Sequence, residues 1–349
     1  MDLPVRYQQE AGLLRVISVD GAFEAPGLNL SHWPGHRTPS ALRRDLSTEI
    51  ALAFSCLPER EQRELAPGCT AIVNNHFDTD GNCALFAVRH PELALPRAKA
   101  LIETAAAGDF FQGANEQAFA IDCIVSAMID AERSPIAKEI RGLDDLERDR
   151  RASEFVFTEL PSLLDGDTRR YLALYEEDLA ALRADIADLE RAAKDEITHL
   201  DLCVWTAPAS FVSSRAGAKR RFDPGRHALF RGAARDRALV IGPVTDGWTY
   251  RFVLSTYSWF DMVTRASLPR PSLEQLAQAL NEQEGTSPDA GVAWRSQPSA
   301  SPSPELWFGN AEAEMFSEHC GVLEPSRLNP ASVRRTILQT LRDALLLPQ

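Results

Sequence analysis

Short apolar runs and amphipathic stretches alternate through the first half of the chain. LLRVISVDG (13–21) reads as a buried strand ending at Asp20-Gly21. CTAIVNN (69–75) reads as a second strand, short and apolar like those inside parallel sheets. Between them GLNLSHWPGHRTP (27–39) reads as a turn-rich loop. Thr38-Pro39 then offers an N-cap and a first helical residue for a helix to about Leu57, with Leu42, Leu46, Ile50, Ala53 and Phe54 on one face. From Gly81 to about Arg133 the pattern is helical, broken near Pro91, Pro96 and GDFFQG (108–113). Residues 140–198 are charge-rich, and Leu172, Tyr175, Leu179, Leu182, Ile186 and Leu189 recur at heptad spacing, the seam of a long helix. Such a helix either packs across its own domain or pairs with a second copy in a homodimer. The seam is short for a free zipper, which favours the first.

The period then changes. THLDLCVW (198–205) alternates with period two, and the run 237–260 reads as two strands turning around Asp246-Gly247, a hairpin signal. LEQLAQALNEQEG (273–285) predicts a short helix, the Pro/Ser-rich run 286–305 a loop or linker, and residues 329–347 a closing amphipathic helix. The expectation is α/β: a parallel-sheet N-terminal part with helices, then an α+β part containing an antiparallel hairpin. The first domain would span 1–197, with the long helix and the candidate site, and the second 198–349, with the hairpin, the Pro/Ser-rich loop and the last helix.

Composition narrows the function classes. At 349 residues, 44% hydrophobic and 25% charged, the chain can bury a real core. A net charge of −13 argues against binding bulk nucleic acid and against anionic membrane surfaces. The six cysteines form no CxxC pair, so reduced thiols and a cytoplasmic location are expected. The N-terminus has no apolar core of a signal peptide, and no run reaches the roughly 20 apolar residues of a membrane span.

One stretch carries ligand chemistry. In VNNHFDTDG (73–81), His76, Asp78 and Asp80 alternate after a strand, and on an extended chain they share a face. An imidazole and two carboxylates suit Mn²⁺, Mg²⁺, Fe²⁺ or Zn²⁺, and a cation removes the repulsion between the carboxylates. Asp20 ends the other strand and would meet this cluster if the two strands are parallel neighbours. Asp109, and His32 and His36 around Trp33-Pro34-Gly35, are further candidates for the site, the two histidines also for substrate contact. The basic segment 214–237 reverses the local charge, and Arg220, Arg221, Arg226 and His227 are candidates to clamp an anionic substrate. No G-x-S-x-G, P-loop or G-x-G-x-x-G is present.

HFDTDG resembles the first motif, H-x-D-x-D-G, of the DHH phosphoesterase superfamily, over about ten residues. The resemblance implies a two-metal phosphoesterase centre, with His76, Asp78 and Asp80 as ligands and Mn²⁺ or Mg²⁺ as the metal. The superfamily's Asp-His-His motif is missing from this chain. The wider pattern, SHWPG followed by HFDTDG, resembles an uncharacterised bacterial family. The expected function is a metal-dependent phosphoesterase-like hydrolase for a small phosphorylated or nucleotide substrate. The alternatives are a metalloenzyme acting on a non-phosphate molecule and a non-catalytic metal- or nucleotide-binding protein.

Overall fold

The computed structural model describes residues 3–22, 24–211, 222–232, 235–310 and 322–346. Four short strands form the first sheet: β1 (Val5–Tyr7), β2 (Val16–Val19), β3 (Gly27–Leu30) and β4 (Ala71–Asn74). Their order is β1-β4-β2-β3 and every pairing is parallel. β2 and β4 are neighbours, with Val16 opposite Ala71 and Ser18 opposite Val73, so both strands end at the same edge. Both are buried along their length, as their apolar runs require.

β3 corrects the expectation of a loop at 27–39. Its four residues offer only two leucines to a pattern search, yet Leu28 and Leu30 are buried. Asn29 takes the polar part of the strand inward: its amide donates to Ser18 Oγ and the Gly21 carbonyl (both 3.0 Å) and accepts from Arg37 N (2.9 Å). The next helix is also corrected. Ser40–Leu42 is a 3₁₀ turn, and the α-helix α1 runs only from Ser47 to Ser55. Its start is marked by the Glu49 carboxylate, which accepts the Leu46 N–H at 3.2 Å.

Helices α2 (Thr79–Arg89), α3 (Ala98–Phe110), α4 (Glu116–Ala127) and α5 (Asp145–Leu164) follow. The break between α3 and α4 is the left-handed Phe111 (φ 53°) in the GDFFQG stretch. The heptad seam is interrupted. Leu172 lies exposed on the 3₁₀ turn Arg169–Leu174, and helix α6 begins only at Glu176 and ends at Arg191. Within α6, Leu182 and Leu189 are buried in the chain's own fold.

The second sheet has six strands: β5 (Ala193–Ile197), β6 (Leu202–Thr206), β7 (Arg237–Val244), β8 (Gly247–Leu254), β9 (Ala293–Ser296) and β10 (Glu305–Gly309), in the order β5-β6-β7-β8-β10-β9. All pairs are antiparallel except β6–β7. β7 and β8 are the hairpin expected around Asp246-Gly247. β9 corrects the linker expected at 286–305, and β10 begins at that run's last residue. Helices α7 (Leu273–Glu284) and α8 (Pro330–Leu346) bury Leu276, Leu280, Ile337 and Leu341 against Leu239, Phe252 and Trp294. Each such side chain contributes about 1.5–3 kcal/mol by leaving water.

The chain divides into two compact units. One comprises residues 1–180 and a returning segment, Phe260–Ala266; the other comprises 181–259 and 267–349. No helix among the described residues is long and apolar enough to cross a membrane.

Candidate metal centre

β4, β2 and β3 are adjacent, and the segments leaving their carboxyl ends deliver ligand-type side chains to one edge, where parallel α/β sheets bind ligands. β2 ends in Asp20, whose backbone is left-handed (φ 58°), a conformation Asp tolerates better than most residues. Its carboxylate is buried. Oδ1 accepts from the Trp33 indole N–H (3.2 Å) and the Ser47 hydroxyl (3.0 Å), and Oδ2 has no hydrogen-bond partner.

β3 runs on into Ser31 and His32, both buried. Thr38 does not cap a helix. Its hydroxyl accepts the Ser31 N–H (2.8 Å) and donates to the Ser31 carbonyl (2.7 Å), closing the loop that carries His32. His32 Nδ1 bonds the Asp45 carbonyl, which assigns a proton to Nδ1 and turns Nε2 toward the site. Nε2 makes no hydrogen bond. Three carboxylate oxygens surround it: Asp109 Oδ2 at 3.1 Å, Asp20 Oδ1 at 3.7 Å and Asp80 Oδ2 at 3.7 Å.

Asp80 lies in the first turn of α2, and its two oxygens accept the Thr48 and Ser47 N–H groups, each at 2.9 Å. The amino end of α1 thus fixes this carboxylate and favours its charge. Asp109 comes from the end of α3. Gly108 beside it permits the close approach of α3 to α2, since a Cβ there would lie 2.9 Å from Thr79 Cβ.

Asp78 caps α2, accepting the Gly81 N–H at 2.9 Å, and its other oxygen lies 3.0 Å from His76 Nε2. His76 Nδ1 bonds Asn75 Oδ1 at 2.7 Å. The glycine of HFDTDG is required by crowding: a Cβ at Gly81 would sit 2.1 Å from Asn74 Nδ2. Unlike Asp20, His32 and Asp80, which are buried, His76 and Asp78 keep 40% and 27% of their side-chain surface in solvent.

The titration behaviour follows this geometry. Burial pushes Asp20 well above the usual carboxylate range, and Asp78, Asp109 and Asp80 push it further. Burial does the same for Asp109, aided by Asp80 and Asp78. Asp80 is raised by burial and by Asp78, against the pull of His32 and the Thr48 bonds. Burial also works to raise Asp78, but His76, the Gly81 N–H and His32 outweigh it and hold Asp78 low. Burial works to lower His76, yet Asp78, Asp20 and Asp109 raise it to about 10.

Two sets of ligand atoms result, each with its members within 4.8 Å of one another: Asp20, His32, Asp80 and Asp109, and Asp20, His76 and Asp78. Both could hold a cation, and Asp20 belongs to both. Ligands sharing a metal at about 2.1 Å lie about 3.0 Å apart at right angles and about 3.4 Å at tetrahedral angles. Of the His32 Nε2 contacts, that to Asp109 at 3.1 Å falls within this range, and those to Asp20 and Asp80, each at 3.7 Å, lie just beyond it. A buried imidazole nitrogen that makes no hydrogen bond and faces carboxylate oxygens fits a cation better than it fits the protein alone.

The structure brings Asp20, His76, Asp78, Asp80 and Asp109 to one sheet edge, but it divides the motif. A strand-like run would put His76, Asp78 and Asp80 on one face; instead the helix starts at Thr79 and turns Asp80 inward, to His32. His36 is held in its loop, with Nε2 2.9 Å from Asp261 Oδ2 and Nδ1 accepting the Thr38 N–H at 3.1 Å. Arg220 and Arg221 lie outside the described residues. Arg226 and His227 are buried on a short helix of the second unit, and Arg226 pairs with Glu305 at 2.7 Å. Sequence reasoning missed the Ser47 and Thr48 N–H groups and the Asp45 carbonyl. The polar run Ser47-Thr48-Glu49 ahead of an apolar stretch could have revealed the first pair as a helix start; nothing local marks the carbonyl.

No curated protein matches this chain. Among solved structures, a DHH-domain protein described as a member of a family of ribosomal proteins is similar at 13% identity and a TM-score of 0.27. The match covers 92% of this chain but 64% of that one, less than two thirds of its length, and the score is too low to carry an argument about chemistry. Residues 3–348 match a single family model, and the chain belongs to that family, a family of unknown function designated DUF6687.

Proposed function

We propose that this protein is a metal-dependent hydrolase of the phosphoesterase kind, acting on a small phosphorylated or nucleotide substrate. The observation that carries the metal is His32 Nε2, buried, without a hydrogen bond and ringed by the oxygens of Asp20, Asp80 and Asp109. The resemblance of HFDTDG to a DHH motif, at the carboxyl edge of a parallel sheet, supports phosphoester chemistry.

Asp20, His32, Asp80 and Asp109 would hold one divalent cation, Mn²⁺ or Mg²⁺, and His76 and Asp78 a second, with Asp20 shared. Such cations polarise a phosphoryl oxygen and lower the pKa of water. The protein's own part is positional. The amino end of α1 anchors Asp80, the Asp45 carbonyl orients His32, and the partly exposed His76–Asp78 pair gives the site its access to solvent and substrate.

The test is hydrolysis of a panel of phosphomonoesters, linear dinucleotides and cyclic dinucleotides with added Mn²⁺, beside carboxylic esters and amides. Turnover of one phosphate class, lost in Asp80→Asn, supports the proposal. Turnover only of the non-phosphate substrates favours the other metalloenzyme, and Mn²⁺ binding without any turnover favours a non-catalytic binder.

A further inference from the structure

The segment Phe260–Ala266 belongs to the unit that carries the metal centre, although the residues on both sides of it in sequence belong to the other. Its contacts gather around His32 and Asp45. The Phe260 ring stacks on the His32 imidazole, with centroids 3.8 Å apart and planes 17° apart. The Asp261 N–H donates to the His32 carbonyl at 2.8 Å. Val263 and Thr264 donate their N–H groups to Asp45 Oδ1 at 2.6 and 2.9 Å, and the Thr264 hydroxyl bonds Asp45 Oδ2. Asp45 is the residue whose carbonyl receives His32 Nδ1. His32 is therefore held at its ring face, its backbone and its Nδ1 by 260–264 or by a residue that 260–264 fixes.

We infer that residues 260–264 form a clasp that sets the ring of His32, with Asp45 and Phe260 as positioning residues for the metal centre. Nothing within 76–81 could do this, because His32 reaches the site from β3. A ring free to rotate about its Cβ–Cγ bond would present Nε2 to the three carboxylates only part of the time. Stacking and the Nδ1 bond remove that freedom before a cation arrives, and outer-shell partners of this kind are worth roughly 10–100-fold in metal affinity. The clasp also makes a centre built from the first 110 residues depend on chain synthesised some 150 residues later.

The inference rests on His32 being a ligand, and two readouts on the full-length protein separate the two claims. Ring-nitrogen NMR of the metal-free protein, with His32 assigned by its loss in His32→Gln, reports the Nδ1 proton and the ring's order. Calorimetric titration with Mn²⁺ reports affinity. Asp45→Ala and Phe260→Leu should broaden or shift the His32 ring signals and weaken Mn²⁺ binding about 10–100-fold. Asp45→Asn, which keeps one acceptor oxygen, should recover part of both. Thr264→Val, which removes a single hydroxyl, serves if the larger changes prevent folding, and should show the same direction at smaller size. Unchanged ring signals and unchanged affinity in these variants overturn the clasp while leaving His32 a ligand. A wild type that binds no Mn²⁺ overturns the ligand, and the ring signals then decide the clasp alone.

Discussion

Two buried charge clusters in this molecule are built on opposite principles. In the second unit Glu305 is fully buried and its carboxylate receives two arginines: Arg226 at 2.7 Å, and Arg251 through a bidentate pair whose Nε lies 2.9 Å away. Arg251 also reaches Asp223 at 3.1 Å and the Pro224 carbonyl at 3.0 Å, and Arg226 reaches the Ser303 hydroxyl and carbonyl. Opposite charges alternate and the donors have acceptors, so the cluster is complete as it stands. In the first unit three carboxylates converge on an imidazole nitrogen that has no hydrogen-bond partner. The charges there are alike, and only a proton or a cation relieves them. Burial of ionisable groups does not by itself mark function; a surplus of one sign that the fold does not neutralise does.

The largest effect should come from breaking the complete cluster. Glu305→Ala leaves two guanidinium groups buried without their shared counter-charge and should cost about 3–5 kcal/mol of folding stability, read from urea unfolding. Its Mn²⁺ affinity per folded molecule should not change. If it lowers metal affinity and leaves stability intact, the contrast between the clusters is false.

The converse change is Asp109→Asn. It removes one of the like charges around His32, so the metal-free protein should melt at the same temperature or higher, while Mn²⁺ affinity falls by about 100-fold or more, beyond the usual cost of an outer-shell change. A marked loss of stability without loss of Mn²⁺ binding would make this cluster structural as well.

Much of the frame for this contrast is legible in the chain. The apolar runs before Asp20 and before Asn75 read as parallel strands because strands buried on both faces need no alternation. Asp109 stands out as a candidate because a carboxylate follows a glycine at the end of a helical run. The role of His32 is not legible. It depends on β3, which four residues with two leucines cannot announce, and on a Thr38 hydroxyl that binds Ser31 rather than a helix end. The division of HFDTDG also escapes a period-two reading, because Asp78 caps a helix and the chain stops being extended at Thr79. β9 and β10 are hidden by the prolines and serines around them, although Trp294, Leu306 and Phe308 are buried.

A smaller effect concerns pH. Asp20, Asp80 and Asp109 have folded-state pKa values above their unfolded ones, so between the two the folded protein binds more protons than the unfolded chain. His76, raised to about 10, acts in the same sense above its ordinary value of 6.5. The metal-free protein should therefore lose stability as pH rises from the acid side through these raised values. A cation needs the carboxylates ionised and displaces those protons, so stabilisation by excess Mn²⁺ should be larger near pH 8 than near pH 6, with proton release on binding. Melting curves at the two pH values, with and without Mn²⁺, check the sign. A metal-free protein that grows more stable towards pH 8 would contradict it.

The most direct measurement is the metal content of protein purified without chelator, equilibrated with Mn²⁺ near pH 8 and dialysed, for the wild type beside His32→Ala and Asp20→Asn. Two cations that share Asp20 predict two equivalents in the wild type, one or none in His32→Ala, and loss of both in Asp20→Asn. A wild type that retains no metal, or variants that retain as much as the wild type, would contradict the claim that these residues form a metal centre.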